Sequence, residues 1–464
     1  MRAVVFTNHT PPSVDPEPGL QRARELGVDI VIAQGTGMDF GPHFLGSGEQ
    51  FPVENFVANV RPYIRMCVEL KIPFVFSVGI AGANVQLEAC LEGFDELCAE
   101  EGYELDVAVI PGEIEREYLL GKLDAGVELE AAVEHPDLPS RLSRADVEAS
   151  TTIVGQMGAE PIMAALASGA DGVITGRALD VGLFIAPALR AGASKAIAGH
   201  FGKLLECGAL ILSPGNSGAP VWSEVDAEAE SITIRALEDS VRCDARAVAA
   251  HSFYERRNPF REENPGGYLD LTEARYEQID ETTVRATGAK WGDTPYSVKI
   301  EGVAPLGYRS INVSGIRDPH YLSQLDGVIE RVRSEITELP RFASLEPDRD
   351  YRITFTVYGR DAVLGEAETE RENEHEVGVV IDAVAPTPEL ARELCYYAYI
   401  GLWIKPYPGR KTTAGNNAQR FSPPIIDVGQ IYRWSVWHLL PLDDPHEPFP
   451  QSTVHFPRSN DGNA

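Results

Sequence analysis

Phe74-Val75-Phe76-Ser77-Val78 runs straight into Gly79-Ile80-Ala81-Gly82-Ala83-Asn84, and this join of an apolar run to a glycine turn decides the fold class. The same pattern occurs three more times in the first 180 residues. Ile30–Gln34 leads into Gly35-Thr36-Gly37, Val107–Ile110 into Pro111-Gly112, and Val173–Thr175 into Gly176-Arg177. Each run is an apolar stretch of strand length. Helical periodicity fills the gaps: Val53–Leu70 is one helix, and Asn84, a good N-cap, starts another that ends near Gly102. Pro161–Ser168 is a third, with proline in its first turn. Strand, glycine turn and helix in alternation specify an α/β domain whose doubly wound, mostly parallel sheet is linked by crossover helices. The carboxyl ends of such strands share one edge of the sheet, where ligands bind.

After residue 220 the pattern changes. Short alternating runs at 231–235, 283–286, 296–300 and 309–313 are followed by an amphipathic helix over 321–339, strands at 351–358 and 377–385, and a helix over 388–404. The expected organisation is an α/β domain over 1–220 and an α+β domain over 221–464 that completes the cleft. Long Pro- and Gly-rich connections at 258–268 and 406–419 are candidates to line a site. The last dozen residues are expected to fray.

The 464 residues carry a net charge of −30. That argues against sequence-independent binding to nucleic acid or to an anionic membrane surface. There is no run of 18 uncharged apolar residues, and the N-terminus is a strand rather than a leader, so a cytoplasmic location is expected. The six cysteines are scattered, without Cys-x-x-Cys or a nearby histidine pattern. They are expected to be reduced and mostly buried, and no metal site is expected from the spacing of histidines and carboxylates.

The common nucleotide signatures are absent. No Gly-x-Gly-x-x-Gly follows the first strand and there is no phosphate-loop motif, so no redox or nucleotide cofactor is expected. The Gly215–Gly218 turn is only superficially like a nucleophile elbow, because the outer glycine spacing is wrong. Anion-binding chemistry remains. Gly35 and Gly37, then Gly79, Gly82 and Asn84, and then Gly176 would offer backbone N–H groups at strand ends. Arg177 could clamp a carboxylate or phosphate, with Asp180 orienting it or acting as a base; the alternative is a structural Arg177–Asp180 pair. His200, Lys203 and Glu206 sit near the end of one helix, and His200 and Glu206 are candidate acid–base groups. Arg410 and Asn416 would add a cation and an amide from the second domain.

Several of these blocks together resemble the acyclic terpene utilisation (AtuA-like) family. They are Gly158–Pro161, Gly169–Asp180, Gly199–Gly208, Asn264–Leu271, Lys299–Gly302 through Gly307–Arg309, Pro408–Asn416 and Phe421–Pro423, and the resemblance runs from about 28 to 440. The chain departs from the family at Gly35–Asp39, where a more aromatic, glycine-rich turn is usual. Many members also carry a C-terminal ferredoxin-like domain for which there is no room here, which implies a small ferredoxin-like partner subunit.

The resemblance implies catabolism of branched or unsaturated carboxylic acids. A lyase or hydratase acting on such an acid or its CoA thioester is expected, with Asp180, His200 and Glu206 moving a proton beside the carbonyl. CoA would enter only as part of the substrate. The alternative is a non-catalytic subunit that binds an acyl-CoA or another ligand for a multi-subunit complex. A homo-oligomer is expected in either case.

Overall fold

The structure is a computed structural model that describes residues 1–8, 15–215, 219–370, 375–411 and 414–458. The Gly215–Gly218 turn and Thr413 of the family-like block therefore lie partly or wholly outside the described residues. Among the described residues, no helix is long and apolar enough to cross a membrane. The chain is a mixed α/β protein of two compact units, Met1–Ala304 with Trp434–Ala464, and Pro305–Arg433. The sequence placed the change at 220.

Unit 1 is built on a sheet of ten strands. They are β1 (Arg2–Thr7), β2 (Ile30–Gln34), β3 (Phe74–Ser77), β4 (Leu105–Ile110), β6 (Gly172–Thr175), β7 (Val221–Asp226), β8 (Ser231–Ala236), β11 (Arg275–Asp280), β12 (Thr283–Thr287) and β19 (Ser452–Phe456). Strand β5 (Thr152–Gly155) lies outside it and pairs with β14 (Ser297–Ile316). Strands β9 (Arg261–Asn264), β10 (Gly267–Asp270) and β13 (Lys290–Asp293) form a separate small sheet.

The order across the large sheet is β11-β12-β8-β7-β1-β2-β3-β6-β4-β19. The central pairings β1–β2, β2–β3, β3–β6 and β6–β4 are parallel. The five outer pairings are antiparallel. The expectation of a mostly parallel sheet thus holds for the glycine-edged strands and fails for the whole. Strands 221–287 do not start a new domain: β7 pairs with β1, and β8, β12 and β11 follow outward from it. The final residues are not all frayed either, since Ser452–Phe456 pairs with β4 and buries Phe456.

Helices cover both faces of the parallel centre. Alternate side chains of one strand point to opposite sides, so Val5, Ile32, Val75 and Val173 join the core under Ala159–Ala167, Gly182–Arg190 and Lys195–Leu205. Val4, Val31, Phe76 and Ile174 join the other core, with Val53–Leu70 and Asn84–Glu101. Burial on both faces is why these strands lack polar alternation.

Unit 2 is antiparallel. The later part of β14 pairs with β16 (Val377–Ala385), which pairs with β15 (Arg352–Tyr358), and β17 (Asn417–Gln419) pairs on the other side of β14. Helices Leu325–Glu338 and Pro388–Ile404 share one apolar cluster with this sheet. The runs expected as separate strands at 296–300 and 309–313 are parts of the single long β14.

Candidate active site

A cavity of about 570 Å³ opens in unit 1 at the carboxyl ends of β1 and β2. Its wall includes Thr7, Gln34, Gly35, Gly37, Gln156, Asp180, Lys203, Glu206, Cys207, Tyr254, Arg256, Glu262 and Lys299. A neighbouring cavity of about 790 Å³ shares Gln156, Leu179, Glu263 and Lys299 with it. Of the residues singled out in the sequence, Gly35, Gly37, Asp180, Lys203 and Glu206 come together here. The Gly35 N–H donates to Ser77 Oγ at 2.9 Å and the Gly37 N–H to the Ile80 carbonyl at 2.7 Å, so neither is offered to a ligand.

Asp180 stands at the mouth, with 37% of its side chain exposed. Its Oδ1 accepts from Arg177 Nη1 at 2.9 Å and from Gln34 Nε2 at 3.3 Å. Arg177 is not available to clamp a substrate. It is buried, its Nε donates to Glu301 Oε2 at 2.8 Å, and its Nη1 also donates to the Ala178 carbonyl at 2.8 Å. The structural pairing of Arg177 with Asp180 is therefore the one observed, and Glu301 extends it into the core.

Glu301 Oε1 accepts from Gln156 Nε2 at 2.7 Å and lies 3.8 Å from Lys299 Nζ. Burial opposes its ionisation, but the charges of Arg177 and Lys299 outweigh that and hold its pKa below the usual carboxylate range. Lys299 is also shifted down, which in its case favours the neutral form. Burial lowers its pKa, against the pull of Glu301 and with the repulsion of Arg177.

The opposite wall carries Lys203, ion-paired with Glu206, both nearly buried. Lys203 Nζ also sits 4.1 Å from the centroid of the Tyr254 ring, and the Tyr254 hydroxyl lies 3.0 Å from Cys207 Sγ. Burial and the charge of Glu262 raise the pKa of Glu206 against the attraction of Lys203. Glu262 is also raised, chiefly by burial.

The remaining sequence candidates are placed elsewhere. His200 is fully buried, meets Tyr276 Oη through Nε2 at 3.2 Å, and is not part of the cavity wall. Burial and then the charge of Arg256 push its pKa down to about 3. It is a neutral core residue and not the expected acid–base group. Gly79 borders a space of only about 20 Å³, room for about one water.

Gly82 and Gly176 are not a ligand cradle. A β-carbon on Gly82 would fall 2.2 Å from Arg177 N, one on Gly176 2.5 Å from Gly82 O, and one on Gly112 2.2 Å from Arg177 N. The turns after β3, β4 and β6 thus pack backbone against backbone, and Arg177 N donates to Gly82 O at 2.9 Å. Asn84 is the first helical residue rather than the N-cap, which is Ala83, and its backbone N–H donates to Glu113 at 3.0 Å. Arg410 and Asn416 belong to unit 2. Arg410 donates to the carbonyls of Ile404, Lys405 and Ala414, and Asn416 to the Tyr407 hydroxyl.

Glu301, Lys299, Glu262, Arg256 and Tyr254 were not singled out in the sequence as site residues. For Lys299 and Glu301 a signal existed, since residues two apart on a strand share a face. The others are joined to the site only by tertiary structure.

Residues 47–430 match the family model described as acyclic terpene utilisation family protein AtuA. No curated protein and no solved structure matches the chain.

Proposed function

The chain belongs to the acyclic terpene utilisation family AtuA, and on that premise we propose that the unit 1 cavity performs lyase- or hydratase-type proton chemistry on a branched or unsaturated carboxylic acid or its CoA thioester. The observation that carries this reading is Asp180, a carboxylate at a cavity mouth whose orientation is set by Arg177 and Gln34. A base held by two donors on one oxygen keeps the other oxygen for the substrate.

In the hydration direction, Asp180 takes a proton from water as the water oxygen bonds to the β-carbon of the double bond. The electron pair of that double bond shifts to lie between the α-carbon and the carbonyl carbon as the carbonyl pair moves onto oxygen, giving an enolate. The α-carbon then takes the proton from Asp180, which returns to its carboxylate form. In the reverse direction the α-proton leaves first and water is expelled. Lys203, Arg256 and Lys299 on the wall supply positive charge for a carboxylate, a thioester oxygen or the developing enolate. The reaction as proposed uses no redox cofactor, and CoA enters only as part of the substrate. The reading also places the protein in the cytoplasm as a homo-oligomer, with a small ferredoxin-like subunit as a partner.

The test is hydration of branched unsaturated acids and their CoA thioesters, assayed with and without the product of a neighbouring small gene. Asp180→Asn should lower turnover on the order of a hundredfold or more with the fold unchanged by circular dichroism. Wild-type turnover in that variant removes the mechanism. Tight thioester binding without conversion would point instead to a ligand-binding subunit.

A further inference from the structure

We infer that Glu206, Cys207 and His251 form a binding site for a divalent transition-metal ion, with zinc the ion their donor set suits best, in the wall of the unit 1 cavity. A carboxylate oxygen, the thiol sulfur and an imidazole nitrogen of these residues lie within 4.8 Å of one another. Tetrahedral zinc, with bonds of about 2.0–2.3 Å, spaces its ligand atoms roughly 3.3–3.8 Å apart, so an inward shift of about an ångström completes the site.

The residues come from two elements. Glu206 and Cys207 directly follow helix Lys195–Leu205, and His251 lies in helix Ala245–Phe253. No spacing rule could have joined them, which is why the sequence carried no expectation of a metal. One oxygen, one nitrogen and one sulfur donor disfavour magnesium and calcium, which take oxygen shells, and suit zinc.

A further observation points to a ligand position left open. Nε2 of His251 is buried and has no hydrogen-bond partner among the described residues, although buried ring nitrogens are normally satisfied.

The surroundings would orient the ligands. Lys203 pairs with Glu206, and the Tyr254 hydroxyl sits 3.0 Å from the Cys207 sulfur. Outer partners of this kind fix ligand geometry. Because Glu206 and Cys207 face the cavity, the fourth position would open onto it, as in catalytic rather than structural zinc sites. A bound ion would supply Lewis-acid polarisation of an oxygen in the cavity. The inference stands apart from the proton chemistry proposed above and does not require it.

The experiment uses the full-length chain after metal removal. Zinc retained through dialysis is counted by elemental mass spectrometry, and Co²⁺, as the spectroscopic stand-in, is titrated in while the near-ultraviolet spectrum is read. The expected result is about one zinc per chain and a thiolate-to-cobalt charge-transfer band. Cys207→Ser should abolish the band and His251→Gln should lose the zinc, while Cys90→Ala changes neither. Circular dichroism checks each fold, and Cys207→Ala replaces Cys207→Ser if the latter does not fold. A native protein without the band, or band and zinc that persist in both the Cys207 and His251 variants, overturns the inference.

Discussion

The Arg177 guanidinium donates through Nε to Glu301 Oε2 at 2.8 Å, with only 3% and 1% of the two side chains exposed. The same guanidinium holds Asp180 through Nη1 at 2.9 Å, so the orientation of a carboxylate at the cavity mouth is set from a buried partner behind it. Removing one member of a buried pair strands the other charge and costs about 3–5 kcal/mol. Glu301→Gln should therefore lower the thermal unfolding midpoint sharply, and more so because Lys299 and Arg177 would then face each other without a carboxylate between them. Adding Arg177→Gln to that variant removes the stranded charge and should recover part of the loss. A double variant no more stable than Glu301→Gln alone would show that the pair is not the source of the effect.

The glycine edge makes a second prediction. Gly112→Ala and Gly176→Ala would each drive a β-carbon to within 2.7 Å of facing backbone, and overpacking of this kind costs about 1–3 kcal/mol. Gly82→Ala adds strain, because its φ of +67° suits glycine. Gly121, in helix Arg116–Asp124, has nothing within 4 Å of an added β-carbon, and Gly121→Ala should stabilise by up to about 1 kcal/mol. Denaturant melts of the four variants check the contrast. If Gly112→Ala and Gly121→Ala have equal midpoints, the packing account fails.

That contrast shows where the sequence was legible. The apolar runs at β2, β3, β4 and β6 marked parallel strands because burial on both faces leaves a pattern in the chain itself. The glycines after them were visible too, but their purpose was not: whether Gly82 meets a phosphate or the backbone of Arg177 depends on a turn almost a hundred residues away. Asp180 was readable beside Arg177, three residues before it. Glu301, which decides what Arg177 can do, comes from a strand far along the chain, and its spacing from Lys299 shows a shared face but not that Arg177 lies against it. The same limit misled the reading of His200. Its helical face was evident, but not that Tyr276 and the core would close over it. It also hid His251, which reaches Glu206 and Cys207 only through the packing of two helices.

His200 carries a pH prediction. Burial first, and then the charge of Arg256, place its folded pKa at about 3, below the ~6.5 of a free imidazole. Protonation therefore favours the unfolded chain. The contribution of neutral His200 is complete above the unfolded pKa and is lost as pH falls from about 6.5 towards 3, at about 1.4 kcal/mol per pH unit. By pH 5 the loss is about 2 kcal/mol. His200→Gln keeps a partner for the Tyr276 hydroxyl but cannot take up that proton. Its unfolding midpoint should fall less steeply with acid than the wild type does. Parallel midpoint-against-pH curves for the two proteins would refute the assignment of a neutral core imidazole.

Lys299 makes the last prediction, since its ammonium lies between two cavities and beside Glu301. Burial lowers its pKa, Glu301 resists that shift, and Arg177 adds to it. A lysine so placed exposes a larger fraction of neutral amine at a slightly alkaline pH, and the cavities give small reagents a path to it. Brief treatment with cyanate should therefore carbamylate Lys299 faster than the exposed Lys71, as read from peptide mass spectra over a time course. Glu301→Gln removes the opposing carboxylate and should speed the labelling of Lys299 while leaving Lys71 unchanged. Slower labelling of Lys299 in that variant, with its fold intact, would mean that access rather than charge controls the amine.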